Sequence, residues 1–433
     1  MSADLLYSET ERDLAAALAG LLADRAAPAD VIARTERAEA YDVKLWRTVA
    51  AEIGVAGLLI PEALGGAGAS YRELAAAAEQ FGAFAAPIPY LGSAAVATAA
   101  LLSAARSSAA ADRPAAAPPD DEGGFGSASS GPAAALRAAQ LRAAARGTAA
   151  SSETRTGPVS PAAGLLRGLA DGSLTAALAV TTATRSGTPF PALARVTGGG
   201  AAGSGTVKLT GTIPAVTDAL PADVLLVPAD GVPSALYLVE AAAPGVHRTP
   251  RVSLDMTRQL CDITLNDAPA RQLAAGAAAE AAVTAGLNAG AGILAAEQLG
   301  LAQHCLDLTL AYVKERHQFA RPIGSFQAIK HRLADLWTTI TLARAASRYA
   351  AACLSDDDPD TPVAVALAKS ACCEAAVSAA QECVQLHGGI GFTWEHPAHL
   401  YLKRAKAASV TIGTPGAHRA ALAALVNLPA PDA

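Results

Sequence analysis

The stretch YVKERHQFARPIGSFQAIKHRLADLW, residues 312–337, decides how the chain is read. A helical pattern runs into Arg316, Gln318 and Phe319, breaks at Pro322 and Gly324, and resumes as helix at Phe326 and Gln327. An arginine beside a helix N-terminus suits a phosphate, because charge and backbone donors converge there. Read alone, the same spacing also fits a solvated helix end with ordinary surface charge. A second stretch, QLHGGIGF at 385–392, puts Gly388, Gly389 and Gly391 where the backbone turns tightly or approaches a ligand. Gly-Gly-x-Gly is equally at home past the end of a helix. From there to Arg419 the only acidic side chain is Glu395.

The chain has 433 residues, enough for two or three domains and a large core. It is 52% hydrophobic but only 4% aromatic, so alanine carries much of the apolar content and favours helix. A net charge of −6, from 33 basic and 39 acidic residues, gives no reason to expect nucleic acid as a partner. The six cysteines form no CxxC pair, so buried free thiols are expected and no metal site. The N-terminus carries acids where a signal peptide carries bases. No run of about 18 uninterrupted apolar residues occurs. A cytoplasmic protein without a membrane span is expected.

The pattern of apolar residues changes along the chain. Residues 1–102 read as helices, opened by a capping box at Ser8 and Glu11. Pro61, Gly65, Gly66 and Gly68 mark a loop where the backbone turns sharply or comes close to something. Residues 103–162 are Ala, Ser, Pro and Gly with few large apolar side chains. They read as a mobile insertion with one short helix near 133–146. Residues 163–275 hold six or more short apolar or alternating runs, the pattern of a small antiparallel β-barrel or sandwich. Residues 276–433 return to helices long enough for a four-helix bundle. The expected fold class is mainly α with a central β domain between two helical ones.

These motifs, taken together, resemble the FAD-dependent acyl-CoA dehydrogenase family. The family's R-x-Q-F…P-I…F-Q pattern stands here as Arg316, Gln318, Phe319, Pro322, Ile323, Phe326 and Gln327, with Ala320 where the family has Gly. Its Q-x-x-G-G-x-G-[FY] pattern stands as Gln385, Gly388, Gly389, Gly391 and Phe392. The resemblance covers nearly the whole chain outside 103–162. It implies FAD as cofactor and an acyl-CoA thioester as substrate. It places Arg316 and Phe319, with Gln327 nearby, on the FAD of a neighbouring subunit, and Gln385, Gly388 and Gly389 on the adenosine and pyrophosphate portion. Thr414 would lie by the flavin end, and Val180, Thr181 and Thr217 on strands flanking the isoalloxazine. Such composite sites require at least a dimer.

The pattern breaks at the catalytic base. The family's reaction removes an α proton to a carboxylate and a β hydride to the flavin, and the weakly acidic α C–H needs a positioned base. In most members that base is a Glu just before the Gly-Thr that stands here as Gly413-Thr414, but this chain has Ile412. A minority carry it on an earlier helix, near Gly290 or Ala291, and TAGLNAGAGILAA holds no acid. Glu297 reads as structural, which leaves Asp255 and Glu395 as fallback candidates. A Glu-Pro-Gly loop common in the family is replaced by Thr182-Ala183-Thr184-Arg185-Ser186-Gly187. The expectation is a flavoprotein working as the base-lacking half of a hetero-oligomer with a second acyl-CoA dehydrogenase subunit. The alternatives are an active homomeric dehydrogenase with an unrecognised base, and a flavin monooxygenase on the same fold.

Overall fold

The structure is a computed structural model that describes residues 5–37, 41–111, 161–199 and 206–429. Helix α1 (Glu9–Arg25) begins in the expected capping box: the Glu11 amide donates to Ser8 Oγ at 3.2 Å and the Ser8 amide to Glu11 Oε2 at 2.6 Å. After α2 (Pro28–Thr35) and α3 (Val43–Arg47) comes the glycine loop, and it is a place of close approach. A Cβ on Gly66 would stand 1.9 Å from the Ile60 carbonyl oxygen. Helices α4 (Tyr71–Ala83) and α5 (Thr98–Ala111) complete the first helical part. Helix α5 runs beyond the boundary expected at 102, because Leu101 and Ala104 are both buried in the core. Most of the expected insertion, including the helix near 133–146, lies outside the described residues. The chain resumes in α6 (Pro161–Ala170), which buries Leu165, Leu166 and Leu169 and packs on α5.

The middle of the chain is a seven-stranded sheet that closes on itself. Strand β4 (Val224–Asp230) pairs antiparallel with β5 (Ala235–Glu240), while β1 (Ala176–Leu178) and β2 (Ala194–Gly199) run parallel to it. β2 pairs with β3 (Thr206–Thr217), β3 with β7 (Leu260–Ala275), and β7 with β5, which completes the ring. β6 (Val246–Arg251) lies along the other end of β7. The two parallel pairings depart from the antiparallel barrel expected, since alternation of apolar residues carries no sign of strand direction. Leu209, Ile213, Leu225, Val227 and Ile263 fill the interior.

The last part holds α7 (Ala277–Glu315), α8 (Gln327–Ser355) and α9 (Thr361–His387) packed side by side. They are followed by α10 (Ala398–Ala408) and α11 (Pro415–Leu425), the latter lying on α9. Two segments, Ala277–Glu315 and Thr361–Phe392, are long and apolar enough to cross a membrane by composition. Here they are core helices, with 61% and 67% of the apolar window buried. All six cysteines are buried and free.

The three parts meet at Glu297 of α7. Its carboxylate accepts from Arg404 Nε at 2.9 Å, from Arg258 Nη2 and from the Tyr90 hydroxyl, and none of its surface is exposed. Burial alone would push this carboxyl up, but Arg258 and Arg404 outweigh it and hold it down at about 2. A folded value below the unfolded one, about 4.3, contributes stability that is complete above the unfolded value and lost as pH falls toward 2. That contribution is on the order of 3 kcal/mol. Glu297→Gln is expected to cost about 3–5 kcal/mol at neutral pH, because it strands two buried guanidinium groups. Urea midpoints at a series of pH values check this: the wild type should lose its margin between about pH 4 and 2, and the variant should show a flatter profile.

Candidate functional site

A cavity that brings three of the expected flavin residues together lies where β1, the end of β3, the segment before α5 and the turn before α11 meet. Val180, Thr181, Thr217 and Ile412 all line it, together with Leu91, Val96, Leu178 and Leu287. Its polar atoms come from a row of threonines. The Thr182 hydroxyl lies 2.9 Å from that of Thr217 and 3.3 Å from that of Thr411, and the Thr181 and Thr184 hydroxyls are 2.9 Å apart. Among the described residues, no acidic side chain lines it.

Ile412 forms one wall under unusual constraint. Its φ is +55°, a left-handed backbone that a β-branched residue rarely adopts. Its amide donates to the Thr182 carbonyl at 2.6 Å, and its carbonyl accepts from His418 Nε2 at 2.7 Å. Burial holds the His418 imidazole below its usual range, with Lys369 and Arg185 adding to the effect, although the bond to Ile412 opposes it. A Cβ on Gly290 would fall 2.7 Å from Ile412 Cδ1 and 2.6 Å from Val96 Cγ2. The two places where the resemblance puts a base are therefore one place in space, and apolar side chains fill it.

The fallback candidates stand elsewhere. Asp255 is buried, and its Oδ1 accepts from the Thr257 amide and hydroxyl while its Oδ2 lies 3.8 Å from Arg404 Nη1. It belongs to the charged knot around Glu297, as the position of Glu297 itself requires. Glu395 is exposed, between Trp394 and His396. Neither lines the cavity. A third carboxylate, Asp218, went unnoticed in the sequence, although it follows Thr217 directly. It sits behind the wall, with Oδ2 accepting from the Gly92 amide at 2.9 Å and Oδ1 from the Tyr41 hydroxyl. Burial pushes the Asp218 carboxyl up, against the pull of Arg258. Its signal in the sequence was only its place next to Thr217.

The remaining predicted residues gather at the far end of the helical part. Arg316 caps α7 and is exposed. His317–Gln318 and Arg321–Pro322 form a small hairpin turned by Phe319 and Ala320, both with positive φ, so that Phe319 stands 87% exposed. The rings of Phe319 and Phe326 meet edge-on at 6.2 Å, and Arg321 lies 3.9 Å over Phe326. Gln327 is exposed beside them, as are Gln385, Gly388 and Gly389 at the end of α9. Tyr312 stacks on His387 at 4.3 Å and ties the two helix ends together. Along α7, the 26 residues from Gly290 to Arg316 span about 39 Å at 1.5 Å per residue. The two groups of expected residues therefore stand far apart on one chain. Thr414 is exposed two residues beyond Ile412, with its side chain capping α11 through the Ala417 amide at 3.2 Å.

Comparison with known proteins fixes the class. Residues 8–110 match the acyl-CoA dehydrogenase N-terminal domain and residues 280–426 the acyl-CoA dehydrogenase C-terminal domain. The acyl-CoA dehydrogenase IpdE2 of Mycobacterium tuberculosis is 31% identical over 407 residues, 94% of each chain. Among solved structures, the ChsE4-ChsE5 complex from Mycobacterium tuberculosis superposes with a TM-score of 0.75 at 26% identity, over 99% of this chain and 100% of the other. A variant of the Tcur3481-Tcur3483 steroid ACAD does so with a TM-score of 0.72 at 28% identity, over 97% and 98%. The chain belongs to the acyl-CoA dehydrogenase family. The family is one of FAD-dependent oxidoreductases; the cavity's apolar walls and threonine hydroxyls match the chemistry of a flat ring with a polar edge, but at about 30 Å³ it is far smaller than the flavin ring system.

The contact between Gly290 and Ile412 can be tested directly. Gly290→Ala is expected to cost about 1–3 kcal/mol by overpacking. Adding Ile412→Ala should recover part of that loss, because one of the two clashing methyls is removed. Urea unfolding of the two single variants and the double variant reads the coupling.

Proposed function

We propose that the chain is the base-lacking half of a hetero-oligomeric acyl-CoA dehydrogenase, acting in the cytoplasm on α,β-dehydrogenation of a bulky acyl-CoA thioester. The observation that carries this reading is that Ile412 lines the cavity and Gly290 packs against its side chain, with no carboxylate at either position where the family's base is expected. Bound FAD supplies a hydride acceptor. This chain's threonine row would orient its polar edge, and Leu91, Val96, Leu178 and Leu287 would exclude water. Threonine hydroxyls are far too weak as bases to take an α proton, so the chain's own cavity would hold cofactor without completing the reaction. The productive cavity would belong to the partner subunit, which carries the Glu. To that cavity this chain would lend the hairpin with Arg316, Phe319 and Gln327 and the turn with Gln385, Gly388 and Gly389. Relatives solved as two-component assemblies support the arrangement. A homomeric enzyme would need an unrecognised base, and the candidates Asp255 and Glu395 do not line the cavity.

The chain purified alone and mixed anaerobically with medium, long and sterol-type acyl-CoAs should leave its flavin oxidised. Co-expression with a Glu-bearing subunit should restore reduction. Rapid bleaching by the isolated chain overturns the proposal.

Arg316→Ala should weaken flavin retention in the assembled oligomer by about 1.5–3 kcal/mol, the worth of a hydrogen bond to a charged group. Flavin content after gel filtration measures it.

A further inference from the structure

Lys369 lies in the third turn of α9 with none of its surface exposed. Its Nζ donates to Cys373 Sγ at 3.0 Å, to the Ala408 carbonyl at 3.1 Å and to the Gly413 carbonyl at 3.3 Å. Three partners match the three donors of an ammonium group. Among the described residues no carboxylate pairs with it. What faces it instead is the C-terminal end of α10, whose last residue is Ala408, where the helix dipole favours a cation. Both carbonyls belong to the segment that carries Ile412. Buried carbonyls left without a donor are costly, so this lysine fixes both ends of the turn at once.

We propose that Lys369 is a positioning residue: it clamps the 408–413 turn so that Ile412 keeps its left-handed backbone and its side chain stays against Gly290. Three holds then converge on the turn. Thr182 takes the Ile412 amide, His418 bonds the Ile412 carbonyl, and Lys369 bonds the next carbonyl along. A β-branched residue at φ +55° persists only where its surroundings over-determine it. The clamp thereby sets the shape of the cavity wall, although no atom of Lys369 lines the cavity. That the cavity receives FAD rests on the function proposed above; the clamp itself does not.

Glycine adopts positive φ at no steric cost, and this supplies the test. Lys369→Met is made in the wild-type chain and in an Ile412→Gly background. Amide hydrogen exchange of the 408–414 segment is followed without flavin, and FAD affinity is measured by titration. In the wild-type background the lysine substitution is expected to speed exchange and weaken FAD, each by about tenfold or more, the equivalent of one or two hydrogen bonds. In the Ile412→Gly background both penalties should shrink to less than about threefold, because the strain that the clamp restrains is gone. Equal penalties in the two backgrounds would mark Lys369 as merely structural and overturn the proposal, as would unchanged exchange in 408–414. If the wild type takes up no FAD, the cofactor reading fails while exchange still decides the clamp. Should Lys369→Met not fold, Lys369→Gln, which keeps an amide donor on a shorter arm, is read the same way.

Discussion

Glu297 held between Arg258 and Arg404 is the contact on which the rest of the molecule depends. Each of the three comes from a different stretch: α7, the segment entering β7, and α10. Tyr90, just before the segment leading into α5, adds the first helical part. Burying these charges costs several kcal/mol per ion, so the knot gains little over an apolar core of equal volume. What it supplies is register. Glu297 lies seven residues, two helical turns, from Gly290, so pinning its carboxylate also fixes which face of α7 meets Ile412. Glycines at the crossing with α4 enforce the same register. A Cβ on Gly82 would stand 1.9 Å from the Glu297 carbonyl, and one on Gly300 1.8 Å from that of Glu79.

Much of the architecture was legible because it rests on local pattern. The alternating runs of the middle segment and the return to helical periodicity at 276 reflect where one face or the other is buried; the strands begin at Ala176 rather than 163, because Pro161–Ala170 is still helix, and the long helices start at Ala277. The capping box at Ser8 and the glycine loop after Pro61 are also local, and each stands where the residues indicated. The role of Glu297 could be guessed from its alanine-rich turn, but not its partners, which lie 39 and 107 residues away. Strand direction in the barrel was hidden for the same reason, since β1 and β2 share one edge of β4 through non-local pairing.

The site was legible in a more uneven way. Val180, Thr181, Thr217 and Ile412 share a cavity, yet nothing local announced that Gly290 would press against Ile412. Lys369 left no mark either, because a lysine in an alanine-rich helix reads as surface. Only the tertiary fold shows that its amine ends between two carbonyls of the turn. Asp218 was likewise invisible, since its importance lies in the Gly92 amide 126 residues away.

Under the proposed function, the distance between the Ile412 wall and the Phe319 hairpin would let a chain without its own base still serve a dehydrogenase. The wall at Ile412 and the hairpin at Phe319 are joined by α7, a continuous helix buried over much of its length. A change confined to the wall does not reach the hairpin, because sites that share no contacts and lie tens of ångströms apart behave additively. On that reading, an apolar residue at 412 would remove chemistry from one cavity only. Arg316, Phe319 and the Gly388–Gly389 turn are exposed and far from that wall. The proposed function would thus separate holding a cofactor, completing a neighbour's site and taking a proton, the third alone depending on a single side chain.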